Sequence, residues 1–222
     1  MSAENLHVGV IGATGAVGVE LINVMFDRKF PVGELTLFAS ERSAGKTVET
    51  KFGTKTVALF SVEEAKQCDI VFLAVSGDFA KEYGPKIAEG AVVIDNSSAF
   101  RLNDDVPLIV PEINGDLAKT AKLIANPNCT TAIAAVALWP LHQAFGLKKV
   151  ILSTYQAASG AGQPGMNELR EGLAAGLEGK PVPAEVFSSP LAFNVIPHID
   201  SFQDNGYTRE EMKVTWETRK IF

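Results

Sequence analysis

The chain has 222 residues and a formal net charge of −6 at pH 7, and 46% of its residues are apolar. This length is enough for one large or two small domains with a buried core, and the negative charge argues against binding to nucleic acid or to an anionic membrane surface. No apolar run reaches the length of a transmembrane span, and residues 1–5 lack the basic and apolar blocks of a signal peptide. Two cysteines do not make a disulfide framework. We therefore expect a cytoplasmic, reduced protein whose partner is a small molecule.

The first hundred residues alternate between predicted strands and predicted helices. Residues 7–11 are apolar, β-branched and followed at once by glycines, which indicates a buried strand, and residues 17–26 have apolar side chains at helical spacing. Further strands are predicted at 35–39, 57–60, 69–75 and 91–94, with a helix at 79–88. Strands that alternate with helices are typical of βαβ units. We expect an α/β fold with a Rossmann-like, doubly wound, mostly parallel sheet.

The pattern changes after Leu147. A long β-like run at 149–156 is followed by a glycine-rich patch, a helix at 166–177, a proline-rich stretch and a last helix at 208–222. We predict a nucleotide-binding domain at 1–128 and the first part of a second, α+β domain at 129–222. The strand at 149–156 needs sheet partners that the remaining residues hardly supply, so we expect the chain to be the front part of a longer protein.

A glycine-rich turn, from Gly12 to Gly18, follows the first strand and opens the first helix. Glycines in this place allow a tight turn and a close approach of the backbone to a pyrophosphate, which the helix N-terminus stabilises. The spacing is a variant of the usual fingerprint, and a purely structural turn is the alternative. In its strand–turn–helix context the run favours a dinucleotide site.

The choice of cofactor depends on the residues after the second strand. Arg42, with Ser43 and Lys46 nearby, is suited to hold the 2′-phosphate of NADP. Glu41 keeps NAD open, since an acidic side chain in this place holds the ribose hydroxyls of NAD, and a solvated loop is the third reading. We favour NADP.

Cys129 precedes a helix-like stretch at 132–145 and has polar neighbours. A thiol at a helix N-terminus meets the positive end of the helix dipole and unpaired N–H groups, which favour the nucleophilic thiolate. Cys68, beside an apolar strand, is more simply a small buried hydrophobe. An activated thiol and a nicotinamide site in one chain predict redox chemistry between an acyl phosphate and an aldehyde through a thioester.

Other polar residues lie where ligands bind in α/β folds. Arg101 follows a strand and is either a clamp for phosphate or carboxylate or a surface cation. Gln156 ends a predicted strand ahead of a small-residue patch. Glu210 and Lys213 share a face of the last helix, where a solvated ion pair is the alternative. The histidines show no metal-ligand spacing, so no metal site is expected: His7, His142 and His198.

Seven runs, in order along the chain, resemble aspartate-semialdehyde dehydrogenase of the bacterial type. They are VIGATGAVG at 10–18, ASERSAGK at 39–46, VIDNSSAFR at 93–101, VPEIN at 110–114, PNCTT at 127–131, STYQAASGAG at 153–162 and EEMK at 210–213. These runs span almost the whole chain, and together they are highly specific.

The resemblance implies that residues 1–128 are an NADP-binding domain and that residues 129–222 are the first part of a catalytic and dimerisation domain. It also implies a reaction and a role for each matching residue. The reaction is the NADPH-dependent reduction of L-aspartyl 4-phosphate to L-aspartate 4-semialdehyde in lysine, threonine and methionine biosynthesis, by a homodimer. Cys129 matches the acyl-enzyme nucleophile and Gln156 the glutamine that positions the substrate. The residues that match substrate or phosphate contacts are Arg101, Asn128, Gln156, Glu210 and Lys213. Those that match the NADP site are Gly12, Thr14, Gly15, Ala16, Val17, Arg42, Ser43, Ser159 and Gly160.

The chain also departs from the family pattern. Family members continue further, with a downstream arginine that grips the substrate carboxylate, an acid/base histidine and a C-terminal helix, so we expect this chain alone to be inactive or severely impaired. Acetylglutamyl-phosphate reductases, whose cysteine motif usually reads Gly-Cys-Tyr, and glyceraldehyde-phosphate enzymes, whose neighbouring motifs differ, remain alternatives. A nucleotide-binding module without catalysis, or a fragment that merely dimerises or aggregates, are two more.

Overall fold

Six parallel strands form the main sheet of the computed structural model, which describes residues 5–222. The strands of the chain are β1 (Leu6–Ile11), β2 (Val32–Ala39), β3 (Thr47–Thr50), β4 (Gly53–Thr56), β5 (Ala58–Leu59), β6 (Ile70–Leu73), β7 (Val92–Asp95) and β8 (Leu123–Ala125). The order in the main sheet is β5-β2-β1-β6-β7-β8, and β3 pairs with β4 in a separate antiparallel hairpin. The predicted Rossmann-like parallel sheet is therefore confirmed.

The helices are α1 (Ala16–Asp27), α2 (Val62–Ala65), α3 (Gly77–Ile87), α4 (Pro111–Asn114), α5 (Cys129–Phe145), α6 (Gly162–Leu177) and α7 (Arg209–Ile221). Short 3-10 turns lie at Gly115–Lys119 and Ala158–Ala161. Pro140 lies inside α5, which continues to Phe145 and ends at Gly146 with a positive φ of 69°. From Asn5 to Phe222, none of these helices has the length and apolar content that a membrane crossing requires.

The strands are apolar because the sheet is covered on both faces. Val8 and Val10 of β1 are fully buried with Leu37 of β2 in one apolar cluster. Val71 of β6 and Val93 of β7 belong to a second cluster. Continuous apolar strands are what a sheet buried on both sides requires, since neither face is left to water. This explains why the sequence identified the inner strands readily.

β1 lies at the point where the strand order reverses. It pairs with β2 on one side and with β6 on the other. From β2 and from β6, the chain continues towards opposite edges of the sheet. This reversal opens a crevice at the carboxyl end of β1, where α/β proteins bind ligands. Because all six strands are parallel, the loops after β1, β6, β7 and β8 lie at this same edge.

The chain divides into two compact units. One contains the chain up to Gly146 together with Trp216–Phe222, and the other contains Leu147–Thr215. Helix α5 and the end of α7 therefore belong with the main sheet, and the boundary predicted between residues 128 and 129 stays a prediction. The strand predicted at 149–156 is not formed. A β-type sequence needs a partner strand for its hydrogen bonds, and the part of the chain that the structure describes offers it none.

A buried carboxylate organises the second unit. Glu168 of α6 is 7% exposed, and its oxygens accept hydrogen bonds from the backbone N–H groups of Glu185, Val186 and Phe187 at 2.6–3.2 Å. The bond from Val186 contributes most to lowering the pKa of Glu168, and the other two add to it against the opposing effect of burial. The ionised side chain therefore fixes the loop at 185–187 against α6.

We predict that Glu168→Gln lowers the free energy of unfolding at pH 7 and flattens its dependence on acid. In the variant, the side-chain NH2 group would face one of the three backbone N–H donors, and the remaining amide oxygen carries no charge. The carboxylate's contribution is complete above the ordinary pKa of 4.5 and is lost as the pH falls through the lower pKa of the folded protein. Urea unfolding at pH 7 and at about pH 3 should show the variant's deficit shrinking in acid. Glu171→Gln, an exposed change on the same helix, should leave the acid dependence as in wild type. If the stability deficit of Glu168→Gln were as large at about pH 3 as at pH 7, the role given to the ionised carboxylate would be wrong.

Candidate active site

The glycine turn after β1 is shaped by close contacts that exclude side chains. Gly12 has a φ of +84°, and a Cβ on it would overlap the carbonyl oxygen of Ala74. A Cβ on Gly18 would overlap the carbonyl oxygen of Gly12. The N–H of Gly15 donates to that same carbonyl at 3.0 Å, which closes the turn. Gly12 and Gly18 are therefore required by the backbone itself.

The start of α1 fits a phosphate group. Its N-cap, Gly15, has no side chain to satisfy the first-turn N–H groups, and this turn contains no acidic residue. In contrast, the N-cap Ser76 of α3 accepts a hydrogen bond from Phe79 N–H. Uncapped N–H groups at the positive end of a helix dipole are a site for an anion. The predicted cofactor residues of this turn thus lie together: Gly12, Thr14, Gly15, Ala16 and Val17.

A tight turn after β2 presents the residues predicted to select the cofactor. The N–H groups of Ser43 and Ala44 donate to the carbonyl of Ser40 at 2.9 and 3.0 Å. Arg42 is exposed, and its guanidinium has no hydrogen bond or ion pair within residues 5–222. Glu41 is exposed in the same turn.

Cys129 is the first residue of α5 and is exposed. The side-chain oxygen of Asn128, the N-cap, accepts from the N–H groups of Thr130 and Thr131 at 3.0 and 3.2 Å. The first turn of α5 contains no acidic residue. The cap therefore fixes the helix start that carries the thiol.

The second cysteine has the opposite environment. Cys68 is 3% exposed in the apolar core, as the sequence predicted. Burial, with the carboxylates of Glu34 and Asp69, raises the pKa of its thiol to about 11. Cys68 is therefore an inert thiol, and a thiol reagent distinguishes it from Cys129.

The thiol and the glycine turn lie at the same edge of the sheet. Cys129 comes four residues after Ala125, the last residue of β8, and Gly12 directly follows β1. These strands are three positions apart in the sheet order, which corresponds to roughly 14 Å. The carboxyl edge thus presents a phosphate-type turn and a nucleophile on strands that are separated by β6 and β7.

Arg101 connects the loops at this edge rather than standing free as a surface cation. It is 9% exposed. Its Nε donates to the carbonyl of Asn126 at 2.8 Å, one terminal nitrogen donates to the carbonyl of Asn96 at 3.0 Å, and the other donates to Glu217 at 3.2 Å. The guanidinium therefore ties the loop after β7 to the loop after β8.

Glu217 of α7 is a site residue that the sequence did not indicate. It is 1% exposed, and its second carboxylate oxygen accepts from the backbone N–H of Asn128 at 2.7 Å. Lys220, three residues later, donates to the carbonyls of Asn103 and Val106. Both residues look like ordinary charges on a polar helix, and only the burial of Glu217 with Ile221 distinguishes this face of α7.

Two predicted ligands of the second unit form a charged cluster with a third residue. The ammonium of Lys213 lies 2.8 Å from Asp200 and 3.1 Å from Glu210; the side chains of Lys213 and Glu210 are largely buried, and Asp200 is more exposed. Burial disfavours the cation, but the two carboxylates outweigh it and raise the pKa of Lys213. Lys213 is therefore a permanent cation, and Asp200 is a partner that the sequence did not reveal.

Gln156, Ser159 and Gly160 lie together in the second unit, at the 3-10 turn. The side-chain oxygen of Gln156 is buried and has no hydrogen-bond partner from residue 5 onward. A Cβ on Gly160 would overlap the amide nitrogen of Gln156, so the glycine leaves room for this side chain. Gln156 lines an open depression of about 550 Å³ with Ala158, Leu169, Leu191, Phe193, Asn194 and Val195.

The histidines have structural contacts of their own. His7 is 2.8 Å from the hydroxyl of Thr36, His142 stacks on Trp139, and His198 packs against Phe202. Within residues 5–222, no group of three His, Cys, Asp or Glu side chains is placed to hold a metal ion.

Comparison with known proteins identifies the family. The family model described as "Semialdehyde dehydrogenase, NAD binding domain" matches residues 7–121, and the one described as "Semialdehyde dehydrogenase, dimerisation domain" matches residues 138–222. The aspartate-semialdehyde dehydrogenase of Aquifex aeolicus is 48% identical over 97% of this chain and 65% of its own length. The chain belongs to the aspartate-semialdehyde dehydrogenase family.

Two solved structures of the family are similar to this one. Aspartate-semialdehyde dehydrogenase II of Vibrio cholerae, described as complexed with ASA, has a TM-score of 0.91 and 46% identity over 99% of this chain and 66% of its own. The enzyme of Candida albicans, described as solved with NADP, has a TM-score of 0.50 and 28% identity over 65% of this chain and 48% of its own. The chain thus spans slightly less than two thirds of the length of the Vibrio and Aquifex relatives.

We predict that Asn128→Ala lowers the free energy of unfolding by about 1 kcal/mol, because two first-turn N–H groups of α5 lose their acceptor. Urea unfolding measures the change. Ser76→Ala is the matched control: this cap of α3 makes a single bond of 3.4 Å, so its loss should cost less. An Asn128→Ala cost equal to or below that of Ser76→Ala would contradict the capping role.

Proposed function

We propose that this chain provides the nucleotide site and the nucleophile of an aspartate-semialdehyde dehydrogenase. The reaction is the NADPH-dependent reduction of L-aspartyl 4-phosphate to L-aspartate 4-semialdehyde with release of phosphate. One observation carries the proposal: an exposed cysteine begins a capped helix at the same sheet edge as an uncapped glycine turn. An acyl-transfer nucleophile beside a dinucleotide site suits chemistry between an acyl phosphate and an aldehyde.

The proposed mechanism assigns the covalent step to Cys129. Its thiolate attacks the acyl carbon, a carbon–sulfur bond forms, and the carbon–oxygen bond to the phosphate breaks, which leaves a thioester and inorganic phosphate. When bound, the reduced nicotinamide supplies a hydride to the acyl carbon. Release of the aldehyde returns the electron pair of the carbon–sulfur bond to Cys129. Covalent capture divides one difficult step into two easier ones.

Arg101 is suited to stabilise the oxyanions of this reaction while remaining part of the loop network. A guanidinium has five N–H donors, and its contacts with residues 5–222 account for three of them. The remaining donors can pair with a phosphate or carboxylate of the substrate. The existing contacts hold the guanidinium in one orientation, so little reorganisation is needed when the substrate binds.

Gln156, Glu210 and Lys213 are proposed to orient the substrate. The buried oxygen of Gln156 is an acceptor that lacks a donor, and leaving such a group unpaired is unfavourable. A substrate N–H group would supply the missing donor. Lys213 would hold a phosphate, and Glu210, which accepts from Lys213, would attract the substrate ammonium.

The cofactor is proposed to be NADP, held by the turn at 12–17, by Arg42 and Ser43, and by Ser159 and Gly160. An exposed arginine with no internal partner among the described residues suits a 2′-phosphate, which it can bind with two parallel hydrogen bonds. The related Candida albicans enzyme, described as solved with NADP, supports this choice.

A homodimer is proposed for the whole protein. The second family model is that of a dimerisation domain. The apolar side chains of the run at 149–156 are exposed here, with Ile151 at 82% and Tyr155 at 89%. Apolar surface of this kind is typical of protein interfaces.

We predict that Cys129→Ser in the whole protein lowers turnover of aspartate semialdehyde, NADP and phosphate about 1,000-fold or more, because a hydroxyl is a much weaker nucleophile than a thiolate. Absorbance of NADPH measures the rate. Cys68→Ala, which removes the buried thiol, is the control and should keep most of the turnover. Near-normal turnover by Cys129→Ser would reject the thioester mechanism, and NADPH binding without turnover in wild type would favour a non-catalytic nucleotide module.

We predict that Arg42→Ala raises the Kd for NADPH by about 10–100-fold and leaves the Kd for NADH nearly unchanged. A charged hydrogen bond to the 2′-phosphate is worth about 1.5–3 kcal/mol, and NADH has no such group. Fluorescence titration measures the Kd of each protein for both nucleotides. The Kd for NADH is the control for the Kd for NADPH. An equal loss for both nucleotides would show that Arg42 does not read the 2′-phosphate.

A further inference from the structure

We propose that Glu217 is a positioning residue of the Cys129 site. One carboxylate oxygen fixes the main chain immediately before the thiol, and the other holds and neutralises the guanidinium of Arg101. The inference rests on the proposed function only in taking Cys129 as the nucleophile.

The first part of the argument concerns the main chain at Asn128. This residue is 7% exposed, so its N–H group needs an acceptor within the protein. Glu217 supplies that acceptor at 2.7 Å from a position 89 residues further along the chain. Pro127 has no N–H group, so this bond is a fixed point of the backbone between Asn126 and the helix start. Its loss would leave a buried donor unpaired one residue before the thiol.

The second part concerns charge. The other oxygen of Glu217 lies 3.2 Å from a terminal nitrogen of Arg101, and both side chains are nearly buried. The nearby Lys220 donates to main-chain carbonyls of the loop at 103–106 and does not pair with Glu217. Glu217 is therefore the counter-charge of Arg101, and it sets how much positive field Arg101 presents at the sheet edge.

These two contacts make Glu217 more than a stabilising residue. Each of its carboxylate oxygens acts on a different component of the site. One oxygen fixes the main chain next to Cys129, and the other orients the Arg101 guanidinium and offsets its charge. A change at Glu217 should therefore alter the chemical selectivity of the thiol, which a loss of stability alone would not do.

Alkylation of Cys129 tests the proposal without any substrate. Iodoacetamide is neutral and iodoacetate is anionic, so the ratio of their rates reports the local field, and mass spectrometry separates Cys129 from the buried Cys68. Glu217→Gln keeps an oxygen for Asn128 and removes the counter-charge. We expect the iodoacetate-to-iodoacetamide ratio to rise about threefold at low ionic strength. Adding Arg101→Gln should return the ratio to the wild-type value or below.

Glu217→Ala separates the two roles, because it also removes the acceptor for Asn128 N–H. We expect its iodoacetamide rate to fall about threefold below that of Glu217→Gln, since the first turn of α5 is no longer held. Equal iodoacetamide rates in the two variants would overturn the main-chain role.

Glu168→Gln is the matched control, since Glu168 is also a buried carboxylate that accepts backbone N–H groups. It should lower stability and leave the reagent ratio unchanged. An unchanged ratio in Glu217→Gln, or the same shift in Glu168→Gln, would overturn the charge role. A shifted ratio in a whole protein that does not turn over aspartate semialdehyde would keep this inference and reject the proposed function.

Discussion

The buried ion pair between Arg101 and Glu217 is the interaction on which the sheet edge depends. Two charges taken out of water require each other, and removing one partner of such a pair typically costs about 3–5 kcal/mol because the other charge remains buried. Here the pair also satisfies main-chain groups: Arg101 donates to the carbonyls of Asn96 and Asn126, and Glu217 accepts from the N–H of Asn128. The loops after β7 and β8 and the end of α7 thus share one network, and the start of α5 is fixed by it.

The parallel sheet explains why this network and the glycine turn meet. Parallel strands place all their carboxyl ends at one edge, and the reversal of strand order at β1 opens the crevice there. Two of the helices that begin at this edge differ in one respect. Helix α1 leaves its first N–H groups uncapped, whereas the side chain of Asn128 caps α5. The first arrangement suits a bound anion, and the second holds a covalent nucleophile in place.

Sequence patterns predicted the features that depend on neighbouring residues and missed those that depend on distant ones. β1, the glycine turn and α1 are local signals, and all three form as predicted. The run at 149–156 has strand-like residues but no partner, so it forms no strand here, and the hairpin at 47–56 was missed because its residues are mostly polar. Glu217 and Asp200 acquire their roles from partners elsewhere in the chain. No single-sequence pattern contains that information.

The charge partners of the two predicted phosphate ligands bear on selectivity. Arg101 is paired with one carboxylate, and Lys213 is paired with two, from Asp200 and Glu210. A lone lysine would attract any anion, whereas a lysine between two carboxylates is complementary to a ligand that carries both signs of charge. The proposed substrate is an amino acid whose side-chain carboxyl group is an acyl phosphate, and it has an ammonium group as well as its anionic groups. The same carboxylates that weaken the attraction for free phosphate would therefore strengthen binding of the amino acid, and an anion without an ammonium would gain nothing from them.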